Sequence, residues 1–257
     1  MIIVCCDGTV NGIFTAIYRA WEIGTSKTKI SVSQNENIEM FAEYMTVESN
    51  EILASKVADS IKIKISDKAY EQVYHAALSY ESDRGEAIYR FLIEGFRHGA
   101  DIIYRLGLPC VQRIFQLNRN VARETHNYLG FLRFNQCKLN NNSLMLACFD
   151  PKNNILDEVS HHFTDRLLLE NWIIADTKRN ICSFHHAESR QYILTDISSE
   201  HISNLIALVK ENTDDRFMEE LWESFRESIA ITDRKNEKLQ RNLMPLRYRS
   251  YMNVHEF

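Results

Sequence analysis

Within EVSHHFTDRLLLENW, the run HHFTDR (His161 to Arg166) puts two imidazoles, a carboxylate and a guanidinium inside six positions. On a helix His161 and Asp165 share one face and His162 and Arg166 the next, while Val159, Phe163 and Leu167 take the buried stripe. A His–Asp pair at that spacing can ligate a metal or orient an imidazole for proton transfer. A metal needs three or four ligands. The nearest further candidates, His185 and His186, are neighbours on an expected strand and point to opposite faces, so only one of them can join. No metal centre is therefore expected. Surface pairing, or anchoring of a helix on a strand, is the favoured reading of the run, with His162 and Asp165 kept as acid–base candidates.

A second constellation is Glu124, His126 and Arg133 in ARETHNYLGFLRF. Over residues 110–127, Cys110, Ile114, Leu117 and Val121 fall on one helical stripe, and Gln116, Arg119, Asn120, Arg123 and Asn127 on another. Glu124 follows Val121 by three and so lies on the apolar stripe. A carboxylate there needs a partner, because burying it unpaired is costly. An ion pair with Arg133, bridging helix and strand, is the expected solution. The functional alternative is a carboxyl of raised pKa acting as a general acid or base.

The third feature is distributed basicity. Residues 102–135 hold five arginines (Arg105, Arg113, Arg119, Arg123, Arg133) against one acid, Glu124. Lys178 and Arg179 top an expected hairpin. Aromatics are interleaved: Phe115, Tyr128, Phe131, Phe134, Trp172, Tyr248 and Tyr251. Arginines position phosphates and aromatics stack exposed bases, although single aromatics are usually core and single arginines solvated. Farther on, residues 211–227 carry seven acidic and two basic residues, and residues 233–249 six basic and two acidic. That switch marks a basic arm after an acidic helix. The arm either contacts a phosphate backbone or packs on the protein's own acidic helix.

These residues need elements to hold them, and the pattern gives an α+β chain. Residues 1–65 read as a small α/β unit: the strand IIVCC, the turn Asp7–Gly8, a helix with Ile13, Ile17 and Trp21 on one face, further strands, and a helix from near Ser49. DGTVNG matches neither dinucleotide nor P-loop glycine patterns and reads as a plain turn. Residues 66–128 are a helical segment, with Asp83-x-x-Glu86 as a capping-box-like start. Residues 129–232 form an antiparallel α+β unit of two hairpins, turning at Asn140–Asn142 and at TKRN, with a crossing helix (about 156–169) and C-terminal helices (about 200–210 and 214–230). Residues 233–257 are the basic C-terminal arm.

Composition bounds the function. The 257-residue chain is 45% hydrophobic and 25% charged with a formal net charge of −5, so nucleic-acid contact needs a local basic surface rather than overall positive charge. The longest apolar runs fall short of the ~18 residues of a membrane span. MIIVCCDG lacks a basic leader and reads as a first strand, so a cytoplasmic location is expected. None of the six cysteines lies in a CxxC, so neither a zinc ribbon nor an iron–sulfur framework is spelled out and no cofactor is expected.

The stretches ETHNYLGFLRF (Glu124 to Phe134), HFTDR (His162 to Arg166), NWIIADTKR (Asn171 to Arg179) and LQRNLMPLRY (Leu239 to Tyr248) resemble the bacterial "probable DNA metabolism protein" family. Its domain of unknown function also occurs fused to uracil-DNA-glycosylase-like modules. Stand-alone members, similar in size to this chain, are encoded beside a DNA-repair radical SAM protein. The resemblance implies a DNA repair or modification context, with DNA and a radical SAM protein as partners, and carries no reaction. The matching positions are Glu124, His126, Arg133, Phe134, His162, Asp165, Arg166, Trp172, Asp176 and Arg179.

Three functions remain open at this point. The leading one is an accessory protein in DNA repair or modification, with Arg133, Arg166, Lys178 and Arg179 holding phosphate and Phe134 or Trp172 stacking. The second is a metal-dependent or acid–base hydrolase of nucleic acid or nucleotides, using Glu124, His162 and Asp165. The third is a pure protein-interaction module with the basic tail as docking arm.

Overall fold

The computed structural model describes residues 1–32, 41–139, 142–211, 224, 225, 228 and 236–249. The expected turn residues Asn140 and Asn141, nearly all of the expected helix at 214–230, and Tyr251 lie outside them. Two compact units divide the chain: Met1–Arg123 with Lys152–Asn154, and Glu124–Pro151 with Ile155–Phe257.

Unit 1 is built on three parallel strands in the order β2-β1-β3: β1 Ile2–Cys5, β2 Thr28–Ser31 and β3 Glu43–Thr46. The central strand is an unbroken apolar run, as a strand covered on both faces requires. Helices α1 (Val10–Ile23), α2 (Glu51–Lys64), α3 (Asp67–Ala77), α4 (Arg84–His98) and the start of α5 (Pro109–Phe131) complete the unit. The α/β segment and the helical segment share one core, in which Val4, Ile13 and Ile17 pack with Ile88, Phe91, Ile114 and Leu117. Side-chain caps start three helices. Thr9 accepts from Gly12 N, Asn50 from Leu53 N and Ser66 from Ala69 N.

The DGT turn owes its shape to Asp7. Its carboxylate accepts hydrogen bonds from Thr9 N at 2.9 Å, Thr9 Oγ1 at 2.7 Å and Ser49 Oγ at 2.7 Å. Gly8 sits at φ +77°, in the left-handed region that suits glycine, and its carbonyl accepts from Arg84 at 3.0 Å.

Asp83 behaves differently from the capping-box expectation. It stands at the N-cap of α4 but makes no capping hydrogen bond. Its carboxylate instead takes the Arg113 guanidinium at 2.6 and 2.7 Å, and Glu86 accepts from Ile30 N and Arg90. A bidentate, charge-assisted pair outweighs a single neutral N–H.

Unit 2 carries a five-stranded sheet in the order β4-β5-β6-β7-β8: Asn135–Leu139, Asn142–Phe149, Trp172–Asp176, Ile181–His185 and Tyr192–Asp196. Its pairs are antiparallel except β5–β6, which run parallel because α6 (Leu156–Arg166) carries the chain between them. The TKRN turn joins β6 and β7, with Asn180 at φ +56°. Helix α6 packs on β6, β7 and β8, and α7 (Ser199–Glu211) on β5 and β4. Leu146, Cys148, Ala175 and Cys182 form the core beneath α7, with Leu205 and Ile206 of that helix against them. Trp172 and Ile174, on the alternate positions, are fully buried too. After α7 the described chain resumes with α8 (Glu237–Leu243), whose N-cap Asn236 accepts from Leu239 N, and a short 3-10 turn, Leu246–Tyr248.

Candidate functional site

The C-terminal end of α5, the loops after β5 and β6 and the segment Leu246–Tyr248 bring together Tyr128, three carboxylates and three cations. Glu124 is only 2% exposed and meets Arg247 at 3.0 Å. The apolar stripe had put a carboxylate in the interior and required a cation for it; that cation is Arg247, from the basic segment, in place of the expected Arg133. Arg133 is exposed and donates to the carbonyls of Gly130 and Leu132, closing the end of its own helix. Arg247 and Tyr248 of the basic segment pack against α5; nearly all of the acidic stretch 211–227 lies outside the described residues.

Arg247 is held on two sides. Its guanidinium lies over the Tyr248 ring at 4.4 Å from the centroid and donates to the Tyr248 hydroxyl. Asn127 donates to the same hydroxyl at 2.9 Å. Tyr248 in turn packs edge-on against Tyr128 (4.9 Å) and tilted against Phe131 (5.3 Å), and Tyr128 meets Phe149 edge-on at 4.9 Å. The Arg247 side chain nevertheless remains 40% exposed. An arginine so fixed loses little entropy when it binds an anion, and its planar fork matches phosphate or carboxylate.

The carboxyl groups nearby are electrostatically loaded. Burial pushes the Tyr128 hydroxyl far above the usual phenol range, with the charges of Asp150 and Glu124 adding to the shift. Partial burial raises the Asp150 carboxyl; a hydrogen bond with Tyr128 opposes this, and the like charge of Asp176 reinforces it. Asp176 is fully buried, and burial raises its pKa against the pull of Arg179. Its Oδ1 accepts from Lys178 N (3.0 Å) and Arg179 N (3.1 Å), and its Oδ2 from the Arg179 guanidinium at 2.8 Å. Arg179 also donates to Pro151 O at 3.1 Å. It therefore ties two loops together around a buried carboxylate, while Lys178 beside it is exposed.

The other candidates sit apart from this network. His161, Asp165 and Arg166 are exposed on α6, and His162 is half-buried with its ring edge-on to Phe163. Phe134 packs on Phe163 at 5.0 Å. Trp172 is 0% exposed and lies parallel to its cross-strand partner His185, 4.9 Å away at 7°, so its ring offers no open face to a base. His185 has both ring nitrogens against backbone carbonyls, of Glu170 and Ser189. His126 is exposed. Among the described residues, no three His, Cys, Asp or Glu are grouped as a metal ion would need, and no helix is long and apolar enough to cross a membrane. All six cysteines are free. Burial pushes the Cys148 thiol up to about 12 and the Cys182 thiol up to about 11, which leaves both as inert core groups.

Asp150, Tyr128, Arg247 and Tyr248 were not singled out as a set by sequence. Their common signal is position. Asp150 follows β5 directly and Asp176 ends β6, so both lie at the carboxyl ends of the parallel pair, where open sheets tend to gather ligands.

No curated protein matches this chain. The family model for a domain of unknown function, DUF4130, matches residues 82–253, more than half of the chain and every residue of the Tyr128 cluster. The chain belongs to the DUF4130 family.

Proposed function

We propose that this protein is an accessory factor in DNA repair or modification and that unit 2 binds nucleic acid through its phosphates. The observation that supports this most is Arg247: a guanidinium anchored by the buried Glu124, lying over the Tyr248 ring, and still 40% exposed. Three carboxylates and three cations make the cluster itself nearly neutral, so affinity draws on the groups that face outward, Arg247, Lys178 and Arg133. Arg133 and Arg247 also sit at the C-terminal end of α5, where the helix dipole favours cations. Arg179 serves this reading indirectly, by holding the loop that displays Lys178. Arg166 supplies a further exposed cation on α6. A radical SAM enzyme is the partner that the sequence resemblance suggests. Alanine at Lys178 or Arg133 weakens binding to fluorescently labelled DNA several-fold, read by anisotropy; unchanged affinity in both folded variants contradicts the reading.

Asp150 favours a second reading, an acid–base hydrolase of nucleic acid or nucleotides. Its carboxyl lies at the surface and partial burial raises its pKa, with the charge of Asp176 adding to the shift, which is the condition of a general acid. Hydrolysis of a nucleotide substrate that is lost in Asp150→Asn, with DNA binding intact, would select this reading over the accessory role.

A further inference from the structure

In unit 1, a cleft of about 500 Å³ runs between α1 and α2 and is floored by α4. One wall is the α1 face carrying Ile17, Tyr18, Trp21 and Glu22; Phe96 of α4 lies below. Trp21 meets Phe96 edge-on at 5.1 Å and Tyr89 edge-on at 6.0 Å, which fixes the indole, yet the residue stays 39% exposed. The opposite wall is a stripe of α2, Lys56, Ser60 and Lys64, one helical turn apart from each to the next. The two lysines lean toward the aromatic side, Lys56 over Tyr18 and Lys64 over Phe96, each at 5.9 Å. Neither has an acidic partner among the described residues, whereas the acid of the cleft, Glu22, is already met by Arg19 at 2.8 Å.

The cleft thus offers a partly exposed aromatic surface bordered by two cations that have no acidic partner among the described residues, with Glu22 paired to Arg19. A ligand that matches both properties joins a planar aromatic group to an anion. We propose that this cleft is a nucleotide-binding site, in which a base packs on Trp21 and the phosphate is held by Lys56 and Lys64. Base–aromatic stacking supplies sequence-tolerant affinity and the ammonium groups supply the phosphate contact. The same chemistry serves a free mononucleotide or the 5′-phosphorylated end of a single strand. The inference rests on unit 1 alone and does not depend on the role of Arg247.

The test is calorimetric titration of the full chain with deoxyadenosine monophosphate, deoxyadenosine and a 5′-phosphorylated oligodeoxyadenylate. Deoxyadenosine monophosphate should bind about tenfold more tightly than the nucleoside, the scale of one charge-assisted hydrogen bond. Lys56→Gln combined with Lys64→Gln should abolish that difference; both side chains are exposed, so folding is unaffected. Trp21→Leu, checked for an intact melting transition, should weaken nucleotide and nucleoside alike. Tighter binding of the oligonucleotide than of the mononucleotide, lost in the double lysine variant, would assign the strand end as the source, and the reverse order the free nucleotide. No heat with deoxyadenosine monophosphate at millimolar concentration, or equal affinity in the double lysine variant, would overturn the proposal. Oligonucleotide binding that is lost with Arg247→Gln but kept in the lysine variant belongs to unit 2 and leaves the free nucleotide as the ligand of the cleft.

Discussion

Glu124 and Arg247 meet at 3.0 Å, one almost fully buried at the end of a stripe of core residues and the other half in solvent. The pair pins the basic C-terminal segment to α5, and that anchoring also holds the guanidinium in a fixed pose. Replacing Arg247 by alanine removes this ion pair from the buried carboxylate and should cost about 2 kcal/mol in unfolding free energy, the scale of a hydrogen bond to a charged group. Glu124→Gln leaves the interior neutral and should cost less, but it frees Arg247 to move. Chemical denaturation of the two single variants and the double variant measures their coupling; additive effects would mean that the two side chains do not act as a pair.

The carboxyls of the two units shift in opposite directions. In unit 1 burial works against Asp7, but hydrogen bonds from Ser49 and Thr9 outweigh it, and the Arg113 guanidinium holds Asp83 down. These two groups stabilise unit 1 above the ordinary carboxylate pKa of about 3.9, and the contribution is lost as pH falls through their lower folded values. In unit 2 burial raises Asp150 and Asp176. Their folded forms retain protons that the unfolded chain has released, so unit 2 loses stability as pH rises from about 3.9 through their folded pKa values. Amide exchange resolved by residue should show protection of β1 falling as pH drops below about 3.9 and protection of β6 falling as pH rises above about 3.9, slopes of opposite sign, and Asp150→Asn should flatten the β6 slope. Parallel slopes that the Asn variant leaves unchanged would refute the assignment.

Gly12 is set by Asp7. A Cβ at Gly12 would lie 2.0 Å from Asp7 Oδ1 and 3.0 Å from Ser49 Oγ. Gly12→Ala must therefore displace the carboxylate that organises the DGT turn, and a loss of about 2 kcal/mol is expected from overpacking. Removing the obstacle with Asp7→Ala in the same chain should return part of that loss. A double variant no more stable than Gly12→Ala alone, by thermal denaturation, would show that the clash lies elsewhere.

Several of these relationships were legible in the sequence, and others were hidden for definite reasons. The periodicity of α5 gave its buried face, since Ile114, Leu117 and Val121 are each 1% exposed or less, and the same stripe required a partner for Glu124. It did not name that partner, because Arg247 is distant in the chain and its segment read as a solvated arm. The order strand–strand–helix–strand–strand was visible from the alternation and turn residues, and a helix between β5 and β6 makes that pair parallel. Trp172 was harder. A strand covered by helices on both faces hides its outward and inward positions alike, so the same residue pattern suits an exposed stacking ring or a core one. The capping signal at Asp83 was a local preference overridden by Arg113, which the fold brings from another helix. The Tyr128 cluster assembles from the end of one helix, two strand ends and the C-terminal segment, and no window of sequence contains it.

The most direct test of nucleic-acid binding by unit 2 is a salt series. Wild-type protein and Arg247→Gln are titrated against labelled single-stranded and duplex DNA, and the logarithm of the affinity is plotted against the logarithm of the salt concentration. Neutralisation of several phosphates gives a slope of several units, at roughly 0.7–0.9 per contact, and loss of Arg247 should lower that slope by about one such contact. No binding at low salt, or the same slope and affinity in the folded Arg247→Gln variant, would contradict the account.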